Sequence, residues 1–124
     1  MPAIYLTERD VDNLLTVKEC VPVVEEAMRH LGTGEAVNQP RRRLRGGGYA
    51  LQIMSSNVGP MGYVGFKAYG FGPGARTPMK VYLYSTRTGE VLAVLDANRL
   101  GAIRTGSATG VGTKYQARAD AKTL

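Results

Sequence analysis

An α+β fold is what this sequence predicts, with N-terminal helices packed on a mixed, mainly antiparallel sheet of about five or six strands and a C-terminal helix of small residues. Three observations carry that expectation. Apolar residues recur at helical spacing up to Leu31, short alternating runs punctuated by Gly, Pro and Asn follow from Val37 onward, and a final long segment returns to a helical pattern. With 124 residues, 44% hydrophobic and 21% charged, the chain has the size and composition of one ordinary folded unit, so residues 1–124 are read as a single domain.

Tyr5-Leu6 reads as a short strand end, and Thr7 with Asp10 opens a first helix through Val11, Leu14 and Leu15. Thr16 with Glu19 forms a fuller capping box, after which Val17, Val21, Val24, Met28 and Leu31 make one apolar stripe. Pro22 predicts a kink, or a start shifted toward Cys20, and Gly32 with Gly34 predicts a left-handed end. Strands are expected over residues 40–44, 49–54, 63–69, 80–84 and 89–95, with residues 70–78 as a loop and Thr86-Arg87-Thr88-Gly89 as a hairpin turn. Asp96 opens the last helix, through Gln116, and its glycines call for close approach by a backbone, a partner helix or a ligand, since each costs up to about 1 kcal/mol relative to alanine. Gln116 stands where an apolar residue would bury the helix end better.

Cys20 is the only cysteine and His30 the only histidine, which excludes an intrachain disulfide and leaves little material for a zinc site or a Ser/His/Asp triad; no metal site is expected. His30 reads as an ordinary helix-end residue. The uncharged stretches fall short of the roughly 20 apolar residues of a membrane span, and the acidic start does not resemble a signal peptide, so a cytoplasmic protein is expected. Charge is unevenly placed, with a net of −4 over residues 1–35 and +10 over residues 36–124. That basic body fits a small carboxylate or phosphate, or nucleic acid through residues 41–45; the 7% aromatic content and the lack of tryptophan weigh against nucleic acid.

Three cationic features stand out. Arg41-Arg42-Arg43 with Arg45 reads either as a solvated edge strand or as a binding element, and alternation sends Arg41 and Arg43 to one face and Arg42 to the other. Lys67 alternates against Val64, Phe66 and Ala68, so it faces solvent or a polar pocket. Arg104 stands on a helix of small residues, placed for solvent or an anion.

Several segments together carry a family resemblance: Gln39-Pro40-Arg41-Arg42, Leu51-Gln52-Ile53-Met54, Gly65-Phe66-Lys67, Thr88-Gly89-Glu90, and above all Leu95-Asp96-Ala97-Asn98-Arg99-Leu100 running into Arg104-Thr105-Gly106-Ser107. Over essentially its whole length the chain resembles the N-terminal half of the ornithine cyclodeaminase and mu-crystallin family. That resemblance implies a substrate-binding and dimerisation domain of an NAD- or NADP-dependent oxidoreductase or deaminase, with ornithine cyclodeamination, alanine dehydrogenation and cyclic imine reduction among its reactions. It implies that Arg42, or Arg41 in the alternative register, binds the substrate carboxylate and that Lys67 contacts the substrate near its reacting centre as the catalytic residue. It also implies that Arg104 approaches the dinucleotide, with Thr77 one residue short of a threonine in the same role. No G-x-G-x-x-G follows a strand, and Leu124 falls where the family's Rossmann domain begins, so the chain is expected to be inactive alone and to bind no dinucleotide stably. Expected partners are a small amino, imino or keto acid and a second copy of the chain. The competing reading is a stand-alone small-carboxylate-binding protein without redox activity.

Overall fold

The structure, a computed structural model, describes residues 2–123. Ile4–Leu6 forms β1, and Glu8–Leu14 and Val17–Gly32 form α1 and α2. Both helices start at the boxes that the sequence marks. Thr7 accepts from the Asp10 N–H and Thr16 from the Glu19 N–H, and each acid accepts in return from its threonine's N–H. The threonine hydroxyl and then the threonine N–H donate to each carboxylate, holding Asp10 and Glu19 below the usual carboxyl range.

α2 begins at Val17, not near Cys20, and continues through Pro22. Pro22 lies early in the helix, where its missing N–H deprives only the Lys18 carbonyl of a partner, so the Thr16 box decides the start. Gly32 is the last helical residue, and Gly34 alone takes the left-handed conformation, at φ +79°. His30 stands in the last turn of α2, the helix end expected of it. It is buried, with Nε2 3.0 Å from Glu26 Oε1 and Nδ1 3.0 Å from Glu35 Oε2, so it ties the end of α2 to the strand that follows.

That strand is β2, Ala36–Asn38, and β3 to β7 are Arg42–Gly46, Tyr49–Val58, Tyr63–Gly72, Ala75–Ser85 and Val91–Asp96. They form one seven-stranded sheet in the order β1-β7-β6-β5-β4-β2, with β3 also pairing β4; only the β1–β7 pair is parallel. The strand beyond the expected five or six is β2, which at three residues is too short to show a period; β1 is the strand end read at Tyr5-Leu6. The larger correction concerns residues 70–78. They are not a loop: β5 and β6 run on and turn at Pro73-Gly74, with Gly74 at φ +67°. A Cβ on Gly70 or Gly72 would collide with the Tyr49 ring, so these are strand glycines dictated by packing. Pro78, which cannot donate, lies where the ladder shifts register opposite the Ala68–Gly70 stretch. The turn at residues 86–89 is as expected, Gly89 at φ +72° donating to the Ser85 carbonyl.

Register assigns the two faces. Met54, Lys67 and Val81 lie abreast, as do Ser56, Gly65 and Leu83, and these share a face with Gln52, Tyr69 and Ala93. Ile53, Phe66, Tyr82 and Val94 occupy the other.

α3, Asn98–Gln116, starts two residues later than expected. Asp96 caps nothing; it ends β7 and accepts from Lys80 Nζ and the Tyr5 hydroxyl, contacts that hold its pKa down and raise that of Lys80. Ala97 offers no capping side chain, and Glu8 of α1 replaces it, accepting from the N–H groups of Asn98 and Arg99 at 2.8 Å each. Glu8→Ala should therefore destabilise the domain by about 1–2 kcal/mol, read as a lower urea midpoint; an unchanged midpoint would show that α3 needs no cap from α1.

The core lies between the helices: Val11, Cys20 and Ile103 are buried, with Leu15, Val24 and Leu100 packed around them. Fully buried Ser107 donates to the Ile103 carbonyl at 2.9 Å. The small residues of α3 are partly explained by close packing: Gly101 lies against Met79 and Gly110 against Val21, whereas Gly106 and Gly112 face open space. Gln116 is the exposed last helical residue. No described helix is long and apolar enough to cross a membrane.

Candidate functional site

A cavity of about 680 Å³ opens between the Lys67 face of the sheet and α3. Three cations from separate segments line it. Arg41 directly precedes β3, in a segment fixed by the ring of Pro40 and by the Gln39 N–H donating to the Ser55 carbonyl at 2.9 Å. Lys67 stands at mid-β5 between Met54 and Val81. Arg104 follows buried Ile103, and the turn of about 100° per helical residue swings it out of the core to the exposed rim of the cavity.

Lys67 is the half-buried member of the set. Loss of water, then the positive charges of Arg104 and Arg41, pull its pKa below the ordinary lysine value. Between that lowered value and the unfolded one the native state holds fewer protons. Its charge therefore opposes folding at neutral pH, and the penalty is relieved as pH rises across that window. A bound anion favours the charged form, so anion affinity should be flat near neutrality and fall once pH passes a value below 10.5. Calorimetric titrations across pH would show this, and Lys67→Met should abolish the fall; a decline that survives the substitution would locate the titrating group elsewhere. Tyr69 supports the ammonium from the same face, with Nζ 5.8 Å from its ring centroid. The Tyr69 hydroxyl and Arg43 Nε both donate to the oxygen of buried Gln52, at 3.3 and 3.4 Å.

Of the residues singled out in the sequence, Arg41, Lys67 and Arg104 share this cavity. Arg42 does not line it: it pairs with Ile53, is exposed, and belongs to the other face. Thr77 lies in a separate cavity of about 380 Å³ with Tyr69, Arg76 and Asn98, its hydroxyl against that of Tyr49. Asn38, Ser56 and Leu83 also line the first cavity. Strand alternation puts Ser56 and Leu83 on one face of their own strands, but only the β4–β5–β6 register sets them beside Lys67.

The architecture and the cleft together define an α+β domain with a cationic pocket on one face of the sheet, rimmed by Arg104 of α3. The chain belongs to the ornithine cyclodeaminase/mu-crystallin family, whose sequence profile matches residues 2–124. Alanine dehydrogenase of Archaeoglobus fulgidus is 35% identical over 126 residues, which cover 95% of this chain and 38% of that protein. A solved archaeal alanine dehydrogenase dimer with bound NAD is similar to it with a TM-score of 0.84 at 35% identity, over 95% of this chain and 38% of that one. The iminosuccinate reductase of Paracoccus denitrificans in complex with NAD+ gives 0.89 at 25% identity, over 97% and 40%. The Δ1-pyrroline-2-carboxylate reductase of Thermococcus litoralis, in complex with NADH and L-proline, gives 0.83 at 28% identity, over 96% and 39%. This chain thus spans about 38–40% of the length of these relatives.

Proposed function

We propose that this chain is the N-terminal, substrate-binding part of an NAD(P)-dependent oxidoreductase or deaminase, and that its cleft holds the carboxylate of a small amino, imino or keto acid. The observation that carries this reading is the meeting of Arg41, Lys67 and Arg104 in one cavity. Of the two arginines the sequence leaves open, Arg41 is the carboxylate ligand. Its guanidinium fork can grip both oxygens and so orient the α-carbon. Lys67, with its pKa lowered by burial and cationic neighbours, stands at mid-cleft to stabilise charge or pass a proton at the substrate's oxo or imino group.

The residue present that fits one edge of a dinucleotide is Arg104, an exposed cation at the rim of the cavity. Thr77 is a second polar contact only if the dinucleotide reaches the neighbouring cavity past Tyr69. When bound, the nicotinamide supplies or takes the hydride; this chain's share is to hold the acid in place. Calorimetric titration of the 124-residue chain with alanine, pyruvate, proline and ornithine, with and without NAD(H), tests the reading. Carboxylate-dependent heat is expected. Its absence for every acid would overturn the proposal, and carboxylate binding indifferent to NAD(H) would favour a stand-alone binding protein.

The second face of the sheet supports a homodimer. Phe66 stacks on Tyr82 with centroids 4.7 Å apart, Tyr84 lies beside them, and Ile53 and Tyr5 on the same face are 40% and 54% exposed. A second copy across a two-fold axis would bury this face. Sedimentation should give a dimer that Tyr82→Glu converts to monomer, and a wild-type monomer at high concentration would remove the proposal.

A further inference from the structure

The cavity floor is graded along the strands. Register places Arg41, Met54, Lys67 and Val81 at one level, because Arg41 precedes the Arg42–Ile53 pair and Lys67 faces both Met54 and Val81. Two residues further along β4, about 7 Å away, come Ser56, Gly65 and Leu83, and a further two residues on come Val58 and Tyr63. Gly65 carries no side chain because a Cβ there would meet the Tyr82 carbonyl, and the missing side chain leaves the middle of the floor open. A small acid gripped at the cationic level therefore lays its side chain over this gap toward Leu83 and Val58.

Resting on the carboxylate reading above, we infer that this cleft selects acids whose side chain is uncharged, apolar and about four carbons long over those that carry a second ammonium. Two physical effects act in the same direction. An aliphatic chain buries methylenes against Leu83 and Val58. An ammonium at the same place loses water against those side chains, within reach of three positive charges, and Ser56 offers it a hydroxyl but no countercharge.

The discriminating ligands are alanine, norleucine and ornithine, which share the α-carbon; norleucine differs from ornithine only in a terminal methyl for the ammonium. Titrating the 124-residue chain by calorimetry, norleucine should bind at least about tenfold more tightly than alanine, and by a similar factor more tightly than ornithine. Ser56→Asp places a carboxylate in the middle level at a position already polar, and should narrow or reverse the deficit of ornithine relative to norleucine measured on the same variant. Ornithine binding as tightly as norleucine would overturn the inference and leave the carboxylate reading standing. No binding by any of the three would remove both.

Discussion

Arg41→Ala should weaken carboxylate binding ten- to a hundredfold, while Arg42→Ala, one residue away, should change it less than about twofold. Hydrogen bonds to charged groups are worth roughly 1.5–3 kcal/mol, and a bidentate guanidinium sits at the upper end. The two positions differ only in direction: Arg41 lines the cavity, whereas Arg42 pairs with Ile53 on the opposite face. Arg41→Lys keeps the charge but loses the planar fork, so it should recover only part of the affinity. Calorimetry on the three variants reads all of this. Equal losses at both positions would point to diffuse charge instead of a specific grip, and a larger loss for Arg42→Ala would transfer the carboxylate to it.

Ile103→Ala should cost about 2–5 kcal/mol, the range for removing most of a large side chain from a packed site. The buried cluster is small, built on Val11, Cys20 and Ile103, so no large core exists to absorb the loss. Set against the 5–15 kcal/mol of an ordinary domain, the change is a large fraction of the whole. The urea midpoint should fall with an unchanged slope. Leu44→Ala, at a side chain 74% exposed, should leave it nearly in place. Because Ile103 pins the turn of α3 that carries Arg104, the variant should also bind anions more weakly under conditions where it is still folded. A midpoint within error of the wild type would show that α3 is held by its other contacts alone.

Much of the fold is written in short-range patterns, and those patterns were legible. The boxes Thr7–Asp10 and Thr16–Glu19 act within four residues, so the starts of α1 and α2 follow from local chemistry. Gly89 turns the β6–β7 hairpin by its own positive φ. Failures occurred wherever a distant partner overruled a local signal. Gly70, Gly72 and Pro78 read as a loop, yet the Tyr49 ring and a register shift make them strand. Asp96 reads as a helix cap, yet Lys80 and Tyr5 claim it and Glu8 caps α3 from another helix. His30 reads as an ordinary helix-end residue, and only the contacts with Glu26 and Glu35 show that it is buried there and tied to the next strand.

For the site, residue types and strand alternation were enough to single out the arginine run, Lys67 and Arg104, and to send Arg41 and Arg42 to opposite faces, because alternation is a property of one strand. Which of those faces meets Lys67 depends on pairing between β3, β4 and β5, and hydrogen-bond register between strands leaves no mark in the order of residues along any one of them. The chain's own order therefore set the starts of α1 and α2, the β6–β7 turn and the identities of its cations. Long-range pairing and the packing of α3 chose Arg41 over Arg42, separated Thr77 from Arg104, and opened the graded floor beside Lys67, since each of these depends on contacts between segments far apart in the chain.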